Sequence, residues 1–192
     1  NADINFAVKA NGNLTILRIL SQEGTGADVF SSGELFIARL AGIPKEKILF
    51  NGNSKSEKDH RSALEAGVRI SVDSREELEA LSNVATELDT WAEVMFRINP
   101  DVSVMTHPKI ATGLKTSKFG IPAEQVAETY QIAMDMPGIE PVGLHCHIGS
   151  QILDISPFVE AVSRMMDVAQ EVLSTGGEVK RIDIGGGLGI QY

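Results

Sequence analysis

The sequence of 192 residues predicts an α/β fold in which a parallel sheet closes as a (β/α)8 TIM-type barrel with its helices outside. Three observations carry that prediction. Short apolar runs alternate with helical patterns, the order that parallel strands joined by right-handed crossovers require. Within most runs one parity is branched and apolar and the other polar, whereas an open sheet covered by helices on both faces would be apolar on both. The polar parity also gathers Lys9, Asp28, Asn51, Asp73, Arg97, His147 and Asp183 near the carboxyl ends of the strands, where barrels of this kind carry their active sites.

Each strand is read with a period of two. "INFAVKA" (4–10) sets Ile4, Phe6 and Val8 against Asn5, Ala7 and Lys9, so Lys9 is expected to point inward. "GADVFS" (26–31) and "KILFN" (47–51) follow, then "VRISVD" (68–73), with Ile70 and Val72 against Ser71 and Asp73. "EVMFRIN" (93–99) opposes Val94, Phe96 and Ile98 to Met95, Arg97 and Asn99. "PVGLHCHIG" (141–149) opposes Val142, Leu144, Cys146 and Ile148 to Gly143, His145 and His147. "VKRIDIG" (179–185) sets Ile182 and Ile184 against Asp183. That makes seven of the eight strands a closed barrel needs, so residues 1–192 read as one barrel domain, incomplete at both ends.

The connections carry helix signatures. "LTILRILSQEG" places Leu14, Leu17, Ile19 and Leu20 on one side and closes at Gly24. "SREELEALSNVATEL" opens with Ser74 as N-cap and Glu77 three residues on, a capping box. "SKSEKDHRSALEAG" and "SPFVEAVSRMMDVAQEVLSTGG" each begin at serine and end at glycine.

Composition narrows the function. With 43% hydrophobic and 22% charged residues the chain is globular, and its net charge of -9 opposes binding to nucleic acid or an anionic membrane. A small-molecule partner fits better. One cysteine, Cys146, excludes an internal disulfide framework and suits a reducing, cytoplasmic setting, and no apolar run is long enough to span a bilayer.

A lysine buried at a barrel mouth loses solvation, its pKa falls, and its amine becomes a nucleophile able to form a Schiff base. The last strand runs into Gly185, Gly186 and Gly187, whose backbone N–H groups can line an anion site. Phosphate sites in these barrels commonly follow strands seven and eight. An inward lysine with a phosphate cradle points to a phosphorylated aldehyde cofactor, pyridoxal 5'-phosphate. A metal pair at His145 and His147 is the competing reading of that strand, though it leaves the lysine and the glycines unexplained. His145 alone reads as a hydrogen-bonded core residue, and Asp73 and Asp183 as structural partners of Arg97 or Lys9.

"FAVKANGN", "GADVFSSGE", "HCHIGSQI" and "DIGGGLGI" resemble the cofactor motifs of the barrel-type pyridoxal-phosphate decarboxylases, which share their fold with alanine racemase. The resemblance runs along nearly the whole chain in order and spacing. It implies that Lys9 is the Schiff-base lysine, that His147 stacks on the cofactor ring, and that Ser150, Gly185, Gly186 and Gly187 hold the phosphate. Asp28 and Arg97 look like the polar pair supporting the lysine and the ring hydroxyl. "IATGLKTSKFGIP" (110–122), taken with "LHCHIGSQI", is similar to the members that decarboxylate meso-diaminopimelate to L-lysine. That likeness assigns Thr112, Gly113, Ser117 and Lys118 to a substrate loop.

The same resemblance implies an eighth strand and a β-rich domain outside residues 1–192, and a homodimer whose subunits share active sites. Two alternatives remain open from sequence. One is a racemase, or a decarboxylase for another basic amino acid, on the same barrel; the other is a cofactor-binding homologue without catalysis.

Overall fold

A computed structural model describes residues 2–102 and 119–191. The substrate loop residues Thr112, Gly113, Ser117 and Lys118 lie outside the described residues. The chain divides into two compact units, Asn1–Val72 with Glu76–Val94 and Pro137–Glu140, and Asp73–Arg75 with Met95–Met136 and Pro141–Tyr192.

The first unit repeats strand and helix: β1 Asn5–Ala7, α1 Leu14–Gln22, β2 Gly26–Val29, α2 Ser32–Leu40, β3 Ile48–Phe50, α3 Glu57–Ala66, β4 Arg69–Val72 and α4 Arg75–Glu87. Its strands are parallel neighbours in chain order, with Ala7 opposite Asp28, Asp28 opposite Leu49 and Phe50 opposite Ile70. That register aligns the carboxyl ends of the first three strands. Ile48, Phe50, Ile70, Leu78 and Leu81 are fully buried in its core. At about 1.5–3 kcal/mol for each large apolar side chain removed from water, they are its main source of stability.

Local chemistry sets the helix ends. Asn13 caps α1, its side chain accepting from the N–H groups of Thr15 and Ile16. Ser56 and Asp59 form the capping box of α3, which stops at Gly67 with φ 64°. Along α1 the expected apolar side is narrower than predicted: Leu17 is buried, but Ile19 is 55% exposed. The physical reason is angular. Ile19 lies two residues from Leu17, which turns it roughly 200° around a helix of 3.6 residues per turn.

The second unit holds most of β5 Ala92–Asn99 and β7 Ile139–Cys146, together with β6 Ile121–Pro122, α5 Ala123–Met134, α6 Ser156–Ser174 and β8 Arg181–Asp183. β5, β7 and β8 are neighbours in that order, and the two-residue β6 pairs with β5 at Ile98 and Asn99. All pairings with a described register are parallel, and all seven strands expected from sequence are present. Phe96, Tyr130, Leu144, Ile148 and Met165 are fully buried. The Phe96 and Tyr130 rings meet at 4.9 Å, and the Tyr130 hydroxyl donates to the Glu178 carbonyl. The apolar parity of the last strand departs from expectation, since Ile182 and Ile184 are 40% and 42% exposed.

Candidate functional site

Chemistry-bearing residues collect at strand ends in each unit. In the first, β1 stops at Ala7 and the chain enters a 3-10 turn over Val8–Ala10 that carries Lys9. The alternation that pointed Lys9 inward therefore ends before reaching it, and Lys9 is exposed rather than buried. Burial does not supply the desolvation expected there. Its Nζ instead lies 4.0 Å from the centroid of the Phe30 ring, within cation–π range. Phe30 directly follows β2, the strand that carries Asp28.

Asp28 is half-buried and opposite Ala7 in register. Its Oδ1 accepts from Asn51 Nδ2 at 2.9 Å. Asn51 follows β3 directly, and its own Oδ1 is buried with no hydrogen-bond partner among the described residues. A buried carbonyl oxygen of this kind is an acceptor awaiting a donor.

In the second unit Arg97 sits on β5, 7% exposed. Its Nη1 is 3.3 Å from Asp73 Oδ2, and its guanidinium lies 5.0 Å from the Phe119 ring centroid. Of the two partners offered to Asp73 by the sequence, the structure selects Arg97. Asp28, named with Arg97 by the resemblance as a supporting group, has the Asn51 amide among its partners.

β7 separates the two histidines by burial. His145 is 3% exposed on the strand, opposite Asp183 of β8, as a core residue would be. His147 lies one residue beyond the strand end and is half-buried. Among the described residues no three His, Cys, Asp or Glu side chains gather as a metal ion would require.

His147 borders the glycine run. A Cβ built on Gly185 would stand 3.0 Å from His147 Nδ1, and one on Gly187 would stand 3.5 Å from His147 Cε1. Gly185 has φ +70° and Gly187 φ +97°, conformations that side chains seldom adopt. A Cβ on Gly187 would also collide with the Gly149 carbonyl oxygen. The two segments are zipped together: Ile152 N–H donates to Gly187 O at 2.9 Å, and Gly189 N–H to Ile152 O at 3.0 Å.

Ser150, which is exposed, lies in the chain between Gly149, which abuts Gly187, and Ile152, which is bonded to it. Gly185 N–H is held by Asp183 Oδ1 at 2.7 Å. Those of Gly186 and Gly187 have no acceptor among the described residues, and a Cβ on Gly186 would meet nothing within 4 Å. An open concavity with two available donors suits an anion.

Sequence reasoning missed Phe30 as a partner of Lys9, and the buried cluster of Lys55, Glu77 and His60. Lys55 Nζ is 2.7 Å and His60 Nε2 3.4 Å from Glu77 Oε1. No local pattern announces a pair whose members belong to different helices and loops. The Glu77 carboxylate, expected in a capping box, faces these two side chains.

A family profile described as "Pyridoxal-dependent decarboxylase, pyridoxal binding domain" matches residues 1–192. Diaminopimelate decarboxylase of Archaeoglobus fulgidus is 55% identical over 192 residues, covering 100% of this chain and 46% of the relative. The crystal structure of diaminopimelate decarboxylase from Helicobacter pylori complexed with L-lysine superposes with a TM-score of 0.97 at 38% identity, covering 100% of this chain and 49% of that one. Lysine/ornithine decarboxylase from Vibrio vulnificus, complexed with putrescine, reaches a TM-score of 0.83 at 26% identity, covering 100% and 48%.

The chain spans a little under half the length of these relatives. The likeness gives it the expected barrel-type α/β fold class. This chain belongs to the pyridoxal-dependent decarboxylases, matching their pyridoxal binding domain throughout.

Proposed function

We propose that these residues form the cofactor-binding barrel domain of an enzyme that converts meso-diaminopimelate to L-lysine and carbon dioxide using pyridoxal 5'-phosphate. The observation that carries the reading is the glycine cradle: Gly186 and Gly187 offer two N–H donors beside His147 and Ser150, where an added Cβ on Gly186 would find open space. A phosphate fits such donors, and a primary amine, Lys9, stands in the turn after β1. When bound, the cofactor supplies an aldehyde that links to an amine and a ring that accepts the electrons left as carbon dioxide departs.

The chain's own residues bind and orient. Lys9 provides the linking amine and, when free, carries a proton. The Gly186 and Gly187 N–H groups and the Ser150 hydroxyl hold the phosphate, while the Gly187 backbone, locked against Gly149, keeps those donors aimed. His147, set beyond β7 and bordered by the glycines, offers an imidazole face to the cofactor ring. Arg97, steadied by Asp73 and Phe119, and Asp28, steadied by Asn51, present fixed polar groups. Fixed groups save reorganisation when charge develops.

Thr112, Gly113, Ser117 and Lys118 are proposed to meet the substrate's distal end, and the intact enzyme to work as a cytoplasmic homodimer with shared sites. The higher identity to diaminopimelate decarboxylases than to the lysine/ornithine enzyme supports this substrate over ornithine.

The test uses the intact protein with added pyridoxal phosphate. Borohydride reduction followed by peptide mass mapping should find the pyridoxyl adduct on Lys9, and carbon dioxide should be released from meso-diaminopimelate in preference to ornithine, arginine and lysine. An adduct on another lysine, such as Lys118, refutes the site. Preference for ornithine refutes the substrate.

A further inference from the structure

The contact between Lys9 and Phe30 has a construction behind it. Lys9 Nζ stands 4.0 Å from the Phe30 ring centroid, where the ring quadrupole attracts an ammonium. Phe30 is anchored from two directions. Its N–H donates to Glu34 Oε2 at 2.8 Å, which ties its backbone to the first turn of α2. Gly52, with φ +103°, lies so near that an added Cβ would meet Phe30 Cδ1 at 3.4 Å.

Gly52 is itself held. Its carbonyl accepts from Lys55 Nζ, which also donates to Ser71 O at 2.7 Å and faces Glu77 Oε1 at 2.7 Å. The Lys55 side chain is only 2% exposed. A buried cation thus fixes the glycine that packs on the ring under Lys9.

Carboxylates on the elements packed against the Lys9 turn are engaged elsewhere: Asp28 Oδ1 takes the Asn51 amide, and Glu34 Oε2 takes the Phe30 N–H. The ring face is what the Lys9 ammonium meets.

We propose that Phe30 is a positioning residue for Lys9, its ring docking the free ammonium in the turn after β1 and slowing its reaction with electrophiles. The inference rests on the reading of Lys9 as the cofactor's lysine, which it deepens. It assigns the buried Lys55 and Glu77 a purpose, as the support that keeps Gly52 and the ring in place.

The test is trace acetylation of the intact protein with acetic anhydride, after hydroxylamine has removed bound cofactor and circular dichroism has verified the fold. The Lys9 peptide is compared by mass spectrometry with the other lysine peptides. Phe30→Leu, apolar and near in size, should raise the Lys9 acetylation rate about two- to five-fold, while Phe30→Tyr, which keeps the ring, should leave it unchanged. A Leu variant that acetylates at the wild-type rate overturns the docking role. So does a Tyr variant that rises as far as Leu, because simple packing would not distinguish a ring. Borohydride trapping in the same variants separates the two readings: an adduct away from Lys9 overturns its cofactor role and the purpose of the ring together, whereas an adduct on Lys9 with unchanged acetylation overturns the ring alone.

Discussion

Arg97 Nη1 lies 3.3 Å from Asp73 Oδ2, and both side chains are less than a tenth exposed. The pair joins β5 to the residue that follows β4, 24 positions earlier in the chain. Removing one member of a buried pair leaves an uncompensated charge, at a cost of about 3–5 kcal/mol. Asp73→Leu alone should lose about that much in urea unfolding of the intact protein, and the double variant with Arg97→Met should recover part of it. Single variants within about 0.5 kcal/mol of wild type would remove the pair from the account of stability.

The glycine cradle separates steric from binding roles. Gly187→Ala meets both a φ of +97° and the Gly149 carbonyl, so thermal melting should show a loss of at least about 1–3 kcal/mol. Gly186→Ala meets nothing within 4 Å. Its melting should match wild type, while dialysis should strip its pyridoxal phosphate faster, read from the cofactor's absorbance. Equal retention of cofactor would argue against an anion at Gly186.

Cys146 should be silent to thiol reagents. Burial, with the Asp183 charge adding and Arg97 opposing, pushes its thiol up to about 12, and the residue is fully buried. The thiolate is the reactive form, so iodoacetamide should label Cys146 only as the protein unfolds. Rapid labelling of the native protein would contradict the burial.

Asp59 links α3 to α2. Burial raises its carboxyl, but hydrogen bonds from the side chains and N–H groups of Ser32 and Ser56 outweigh that and lower it to about 2. A pKa lowered in the folded state adds stability that is complete above the unfolded value of 3.8 and is lost as pH falls toward 2. Asp59→Asn should therefore flatten the acid limb of the stability curve between those values. An unaltered acid limb would show that the bonds to Ser32 and Ser56 contribute nothing.

His147 and His145 share a strand parity yet differ in exposure, and their variants should diverge. His147→Ala is expected to change the cofactor's absorbance and cut turnover. His145→Ala, removing a side chain 3% exposed, should chiefly lower the melting temperature. Matching spectra and equal catalytic losses in both would reject the distinction.

By itself the sequence determined the order of strands and helices and the fold class, because side-chain parity, caps and glycine stops are local signals. α3 stops at Gly67 as its glycine stop signals, with Ser56 rather than the leading serine of that segment as its cap. It also determined the family, since the motifs around Lys9, His147 and Gly185 keep their spacing along the whole matched length. Tertiary structure alone decided how the charges are partnered. Parity carried Lys9 inward, but β1 ends two residues short of it and the chain turns, leaving the amine exposed on the Phe30 ring. Asp73 found Arg97, Asp28 found Asn51, and Glu77 met Lys55. Pairings of this kind join residues some twenty positions apart, and their energy depends on burial and geometry that arise only once the strands are aligned.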